Sequence, residues 1–133
     1  MCIFCKIVNG EIPSYKIYED ENTFAFLDIA DDAIGHTLVV PKKHYENILD
    51  IESETLNNVM AVVKKISNHY VNNCGFDGIN IINNNNECAE QSVLHLHFHI
   101  IPRKNNDGMK IFPKLDKVNC NFENVCESLT LMK

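Results

Sequence analysis

Apolar residues open the chain at helical spacing. Ile3, Phe4, Ile7 and Val8 share one side and Gly10 is a natural stop, so the first ten residues read as a short helix. Residues 15–18 and 23–27 are rich in β-formers, and the polar stretch 19–22 between them suggests a hairpin. A third strand covers residues 36–40 and is closed by Pro41. Leu56, Val59, Met60, Val63, Ile66 and Tyr70 then repeat at helical spacing, behind Ser53 as candidate N-cap and ahead of Gly75, which predicts one long helix. Residues 78–82 read as a fourth strand, the asparagine-rich stretch after them as a loop, and residues 94–101 as a fifth strand ending at Pro102. A short helix near residues 122–131 ends the series. The strands do not alternate with many helices, which points to an α+β fold with an antiparallel sheet. Neither an internal repeat nor a linker interrupts the pattern, so residues 1–133 are expected to form a single domain.

With 45% hydrophobic and 23% charged residues in 133, a sizeable core is available and general disorder is excluded. Eighteen acidic against twelve basic side chains leave a formal charge of -6, which repels a phosphate polymer and disfavours a nucleic-acid coat protein. Nothing approaches the run of about 18 apolar residues that a membrane helix needs, and residues 1–10 lack the regions of a signal peptide. A soluble, cytoplasmic protein with no membrane partner is expected. In that reducing setting the six cysteines suggest metal binding or catalysis before disulfides. The eighteen asparagines, four of them in the run 83–86, read as a compositional bias tolerated in loops.

The informative segment is His95-Leu96-His97-Phe98-His99-Ile100-Ile101. Alternate side chains of a strand share a face, so the three imidazoles would line up about 6 to 7 Å apart while Leu96, Phe98 and Ile100 point into the core. A merely solvated face would more naturally use Thr, Lys or Glu. Imidazole serves near neutral pH as nucleophile, proton donor or metal ligand, and a row of three can divide those roles.

This segment resembles the histidine triad motif, His-φ-His-φ-His-φ-φ with φ apolar, and Gln91-Ser92-Val93 before it is also typical. The similarity extends to Cys-Ile-Phe-Cys-Lys-Ile at residues 2–7, to residues 10–13 and 25–29, and to the stretch from Gly35 through Pro41-Lys42-Lys43-His44. These segments look like the branch of histidine triad nucleotide-binding proteins. The resemblance implies a HIT-like fold with a five-stranded antiparallel sheet that pairs into a homodimer, the apolar long helix being the natural contact. It implies a hydrolase of purine nucleoside phosphoramidates, of AMP or GMP type, with no nucleic acid polymer as partner. His97 would be the nucleophile and form a nucleotidyl-imidazole, since neutral imidazole attacks well and leaves readily once phosphorylated. His99 would bond a phosphate oxygen, His36 would donate nearby, and Ser92 would assist proton delivery to the leaving group. Asp28 would accept from both ribose hydroxyls, Phe4, Ile7, Phe26 and Ile29 would enclose the base, and Asn84 and Gln91 would belong to the nucleotide site. No G-x-x-x-x-G-K-[ST] loop and no carboxylate cluster suggests a magnesium-dependent step.

Cys2-x2-Cys5 alone is weak evidence for a metal. The resemblance supplies His44 and His95 as partners and implies a closed, structural zinc site; two unused thiols are the alternative. In the loop before the triad, members commonly have Gly-x-x-Ala-Gly-Gln where this chain has Asn86-Glu87-Cys88-Ala89-Glu90-Gln91, so Asn86 and Glu90 stand where glycine is usual. Two other functions compete: a dinucleoside polyphosphate hydrolase, and a nucleotide-binding interaction protein with little turnover.

Overall fold

The computed structural model describes residues 2–131. Helix α1 (Ile3–Val8) is followed by strands β1 (Lys16–Glu19), β2 (Thr23–Leu27) and β3 (Thr37–Pro41), helix α2 (Ser53–Asn73), β4 (Gly78–Ile82), β5 (Phe98–Arg103) and helix α3 (Phe122–Leu129). A short 3-10 turn, Glu87–Ala89, precedes β5. The five strands form one sheet in the order β1-β2-β3-β5-β4, antiparallel at every pairing. This is the expected α+β architecture. No helix among the described residues is long and apolar enough to cross a membrane.

Both faces of the central strands are buried, and alternation sorts their residues. Ala25, Val39, Phe98 and Ile100 pack with Val59, Val62, Val63, Ile66 and Tyr70 of α2 on one side. Phe24, Phe26, Leu38 and Val40 face the other way and pack with Phe4 of α1. The triad histidines alternate with Leu96, Phe98 and Ile100, so they belong to the second, α1-covered side.

Strand and helix ends shift by a residue or two from the sequence expectation, and some differences matter more. The N-cap of α2 is Glu52, with extended backbone, and Ser53 is its first helical residue. The buried stripe of that helix uses Val62, whereas Met60 is 37% exposed, so the face that meets the sheet is rotated from the expected one toward Val62. Most consequential for the site, β5 begins at Phe98, so His95 and His97 precede the ladder. β3 pairs with β5 as Thr37 with Ile100 and Val39 with Phe98. Continuing that register would set Leu96 opposite Pro41, which has no N–H to give. Leu96 instead donates its N–H to the carbonyl of Tyr45 at 2.7 Å. At the other end β5 runs through Pro102 to Arg103. Gly35 turns there with φ +83°, and a Cβ on it would meet the Pro102 ring at 3.1 Å.

Candidate functional site

The second sheet face gathers His36, His97 and His99. His97 is buried, and its Nδ1–H donates to the carbonyl of His95 at 2.7 Å. A neutral ring with its proton at Nδ1 leaves Nε2 as a bare lone pair. Burial holds the His97 pKa below its ordinary value, which favours that neutral form. The Phe4 ring stands edge-on at 5.1 Å and the His99 ring at 5.0 Å.

His99, on β5 between Leu38 and Ile82, meets His36 Nε2 through its Nδ1 at 2.9 Å. Its pKa is lowered to about 4, by desolvation first and then by His97 and His36. His36 is buried ahead of β3, and its Nδ1–H donates to Asp32 Oδ1 at 2.8 Å. That bond is the main reason Asp32 lies below the usual carboxylate range. Asp28 Oδ2 is 3.6 Å from His36 Nε2. Asp28, His36 and His99 thus place ligand-type atoms within 4.8 Å of one another, but the 2.9 Å N–N contact is a hydrogen bond already filled by a proton.

An apolar cleft of about 400 Å³ adjoins this cluster. Phe4, Ile7, Phe26, Ile29 and Asp28 all line it, with Ile3, Ile12, Tyr15 and Leu38. One carboxylate on the rim of an apolar slot suits a flat ligand carrying hydroxyl donors. Asp28 Oδ1 accepts the N–H of Ala30 at 2.8 Å, which fixes the carboxylate, and the Asp28 N–H donates to the His36 carbonyl at 2.8 Å, closing the loop between them.

The loop from β4 to β5 is held by its own amides. Asn83 Nδ2 donates to the His97 carbonyl at 3.0 Å, and Asn85 Oδ1 accepts from the Ile48 N–H at 2.8 Å. The Asn84 side chain makes no hydrogen bond among the described residues and is half-buried. Gln91 is buried; its Oε1 accepts the Asn86 N–H at 2.8 Å, and its Nε2 donates to the Glu46 and Val93 carbonyls at 2.7 and 3.0 Å. Those bonds give Gln91 the part of a clamp within the loop. Ser92, next to it, is exposed. Asn86 and Glu90 have φ of 75° and 69°, the left-handed half that favours glycine.

Cys2, Cys5, His44 and His95 meet next to His97, which His95 touches through its carbonyl. Their two Sγ and two Nδ1 atoms are mutually 3.1 to 3.5 Å apart, six nearly equal edges of a tetrahedron. The centre of such a figure lies about 2.1 Å from each corner, within about 0.2 Å of Zn–N and Zn–S bond lengths. His95 is fully buried and its Nε2–H donates to the Pro41 carbonyl at 2.8 Å, which turns the Nδ1 lone pair toward the other three donors. Four residues that could hold a metal ion are therefore preassembled. Sequence reading passed over Asp32, Leu38, Ile12 and Tyr15. For Asp32 its four-residue distance from His36 was the available signal, and in a loop that distance carries no geometry.

Known proteins resemble this chain in sequence and fold. An uncharacterized HIT-like protein of Methanocaldococcus jannaschii is 56% identical over 108 residues, 81% of this chain and 83% of that protein. An adenosine 5'-monophosphoramidase of Candida albicans is 42% identical over 107 residues, 77% of this chain and 70% of that one. The crystal structure of a zinc-bound histidine triad family protein from Mycobacterium smegmatis superposes with a TM-score of 0.79 at 40% identity, covering 86% of this chain and 84% of the other. The sequence model of the HIT domain matches residues 9–106, and with His95, His97 and His99 in the positions its name describes, the chain belongs to the histidine triad (HIT) family.

Proposed function

We propose that this chain hydrolyses purine nucleoside phosphoramidates, adenosine 5'-monophosphoramidate or its guanosine counterpart, through a nucleotidyl intermediate on His97. The observation that carries the reading is the fixed tautomer of His97: its proton is held by the His95 carbonyl, so Nε2 is free to attack. Nε2 forms a bond to the α-phosphorus while the P–N bond to the leaving amine breaks, and the amine takes up a proton. Ser92, exposed to solvent, relays it, its hydroxyl taking a proton from water as it gives its own to the amine. Water then attacks the phosphorus and gives up a proton to solvent, the P–Nε2 bond breaks, and the nucleoside monophosphate leaves with His97 restored. His99 donates to a phosphate oxygen as charge grows on it, and His36, whose two ring nitrogens meet Asp32 and His99, supports it from behind. The base lies in the cleft between Phe4, Ile7, Phe26 and Ile29, Asp28 accepts from the ribose hydroxyls, and Asn84, a loop amide whose side chain has no hydrogen-bond partner among the described residues, reaches the sugar-phosphate. Gln91 acts by holding that loop. The likeness to the Candida albicans protein supports the substrate class.

Cys2, Cys5, His44 and His95 would hold zinc, whose contribution is a structural cross-link with all four positions filled. We read residues 1–133 as one histidine triad domain, paired as a homodimer and cytoplasmic, where six unpaired thiols remain reduced. The long-helix face expected at the dimer contact packs on the chain's own sheet, so the pairing would use other exposed apolar residues, such as Leu94. Light scattering at micromolar concentration that gives a monomer's mass would remove the dimer.

Turnover of a fluorogenic adenosine phosphoramidate, measured beside a dinucleoside triphosphate, tests the function. Preference for the phosphoramidate is expected. Preference for the dinucleotide would move the chain to the polyphosphate hydrolases, and AMP binding without turnover of either would make it a binding protein. His97→Ala should bring turnover to background with AMP affinity nearly unchanged, because it removes the bond-forming atom and little of the cleft.

A further inference from the structure

Asp32 lies between the two segments that carry the family resemblance, residues 25–29 and 35–44, and none of the steps above uses it. Its carboxylate nevertheless holds the outer nitrogen of a buried histidine, and that histidine holds a second: Asp32 Oδ1 to His36 Nδ1 is 2.8 Å, and His36 Nε2 to His99 Nδ1 is 2.9 Å. We propose that Asp32 is a positioning residue that sets the proton order of this relay, so that His99 presents its Nε2–H as a donor to the substrate phosphate. This inference rests on the phosphoramidase reading and names the residue that arms its anion-binding donors.

The argument is a count of protons. A 2.9 Å contact between two ring nitrogens needs one proton between them. Suppose that proton sits on His99 Nδ1. His99, if neutral, then has a bare lone pair at Nε2 and repels a phosphate oxygen. Suppose instead that it sits on His36 Nε2. His99 then accepts at Nδ1, carries its own proton at Nε2 and can donate outward. His36 already has a proton at Nδ1, given to Asp32, so in this second arrangement it is an imidazolium. The cation is formed against the Asp32 carboxylate, with the Asp28 carboxylate 3.6 Å from its other nitrogen. His99 is the wrong member to carry the charge, because burial and the neighbouring imidazoles oppose it. The charged and titratable groups facing the pair are Asp28 and Asp32 from the loop between β2 and β3 and His97 from the approach to β5; the flanking strand residues Leu38 and Ile82 carry no charge. Of the two carboxylates Asp32 alone accepts a hydrogen bond from His36, while Asp28 faces the cleft.

Asp32→Asn keeps a carbonyl oxygen that can accept the Nδ1–H and removes the charge. The arrangement that binds phosphate should then be lost at lower pH. Because Asp32 is 56% exposed, the alkaline limb of the kcat/KM profile should move down by about one pH unit, about tenfold in rate at pH 8 and little at pH 6. The loss should fall mainly on kcat, and Asp32→Glu should recover part of it. A parental profile in Asp32→Asn, or a loss equal at all pH values, overturns the proposal. Nitrogen-15 correlation spectra of the His36 ring provide a readout independent of turnover. Wild-type protein with AMP should show both ring nitrogens protonated to higher pH than Asp32→Asn with AMP, and identical spectra in the two proteins would also overturn it. If wild-type protein turns over no phosphoramidate yet shows this spectral difference, the functional reading fails and the relay stands.

Discussion

At the scale of single residues, the loop before the triad contains strain that a substitution can release. Asn86 has φ 75° and ψ 160°, a region populated almost only by glycine, and Glu90 has φ 69° and ψ 29°. Asn86 recovers part of that cost, since its Oδ1 accepts from Asn47 at 2.9 Å. Glu90 is exposed and shows no such compensation. Glu90→Gly should therefore stabilise the fold by about 1 kcal/mol in urea unfolding, whereas Glu90→Gln, which keeps the Cβ, should not. Equal midpoints for all three proteins would mean the left-handed turn costs nothing. The histidines give a second residue-level expectation. His99 has a folded pKa of about 4 against about 6.5 unfolded, so between those values the unfolded chain binds more protons. Stability contributed by neutral His99 is thus complete above about pH 6.5 and is lost as pH falls toward 4. The full shift would correspond to about 3 kcal/mol; partial solvent access reduces that to about 1 to 2 kcal/mol. Unfolding midpoints measured from pH 7 to 4.5 should fall less steeply in His99→Gln than in the parent, and parallel curves would show that burial of this ring is not the cause.

At the scale of elements, α1 has six residues, too few to hold a helix by itself, and its hold on the sheet is Phe4, Ile7 and Val8 together with the Cys2 and Cys5 sulfurs. The same six residues include Phe4 and Ile7 of the cleft, and His95 links the metal quartet to His97 through its carbonyl. A structural ion would therefore act on the chemistry at one remove. About one equivalent of zinc per chain is expected in untagged protein. Removing it with a chelator, or making Cys5→Ser, should lower the melting temperature and weaken AMP binding, with zinc alone restoring the chelated protein. Zinc-free protein of unchanged melting temperature and AMP affinity would rule out the cross-link. Most of the elements were legible in the sequence because their signals are local: unbroken runs of β-formers in β2 and β3, period-two alternation in the triad, a helical stripe in α2, and Gly75 at its end. What escaped depends on contacts across the chain. The late start of β5 is dictated by Pro41 on a neighbouring strand. The role of Gln91 is set by carbonyls at residues 46 and 93, and the engagement of Asp32 by a loop that folds it back onto His36. The metal quartet was found through resemblance, since its partners lie up to 93 positions apart and no periodicity joins them.

At the scale of the whole molecule, charge sets a condition on any substrate. The chain carries -6 overall, and Asp28 and Asp32 add negative charge beside the site itself. A nucleoside phosphoramidate is an anion, so its approach is opposed at long range and its capture depends on short-range donation from His99, backed by His36. Salt shortens the reach of the repulsion, from about 30 Å at 0.01 M to about 8 Å at 0.15 M, and affects the buried donors much less. For a charge of this size at the radius of a small domain, the relief is on the order of 0.5 to 1 kcal/mol, about two- to fivefold. Raising ionic strength over that range with an inert salt should accordingly increase kcat/KM and tighten AMP binding measured by calorimetry, the reverse of the behaviour of a protein that collects anions with exposed cations. An uncharged adenosine analogue should bind with an affinity nearly independent of salt. AMP affinity that fell with added salt would mean that exposed cations dominate the field at the cleft and that net charge does not govern capture.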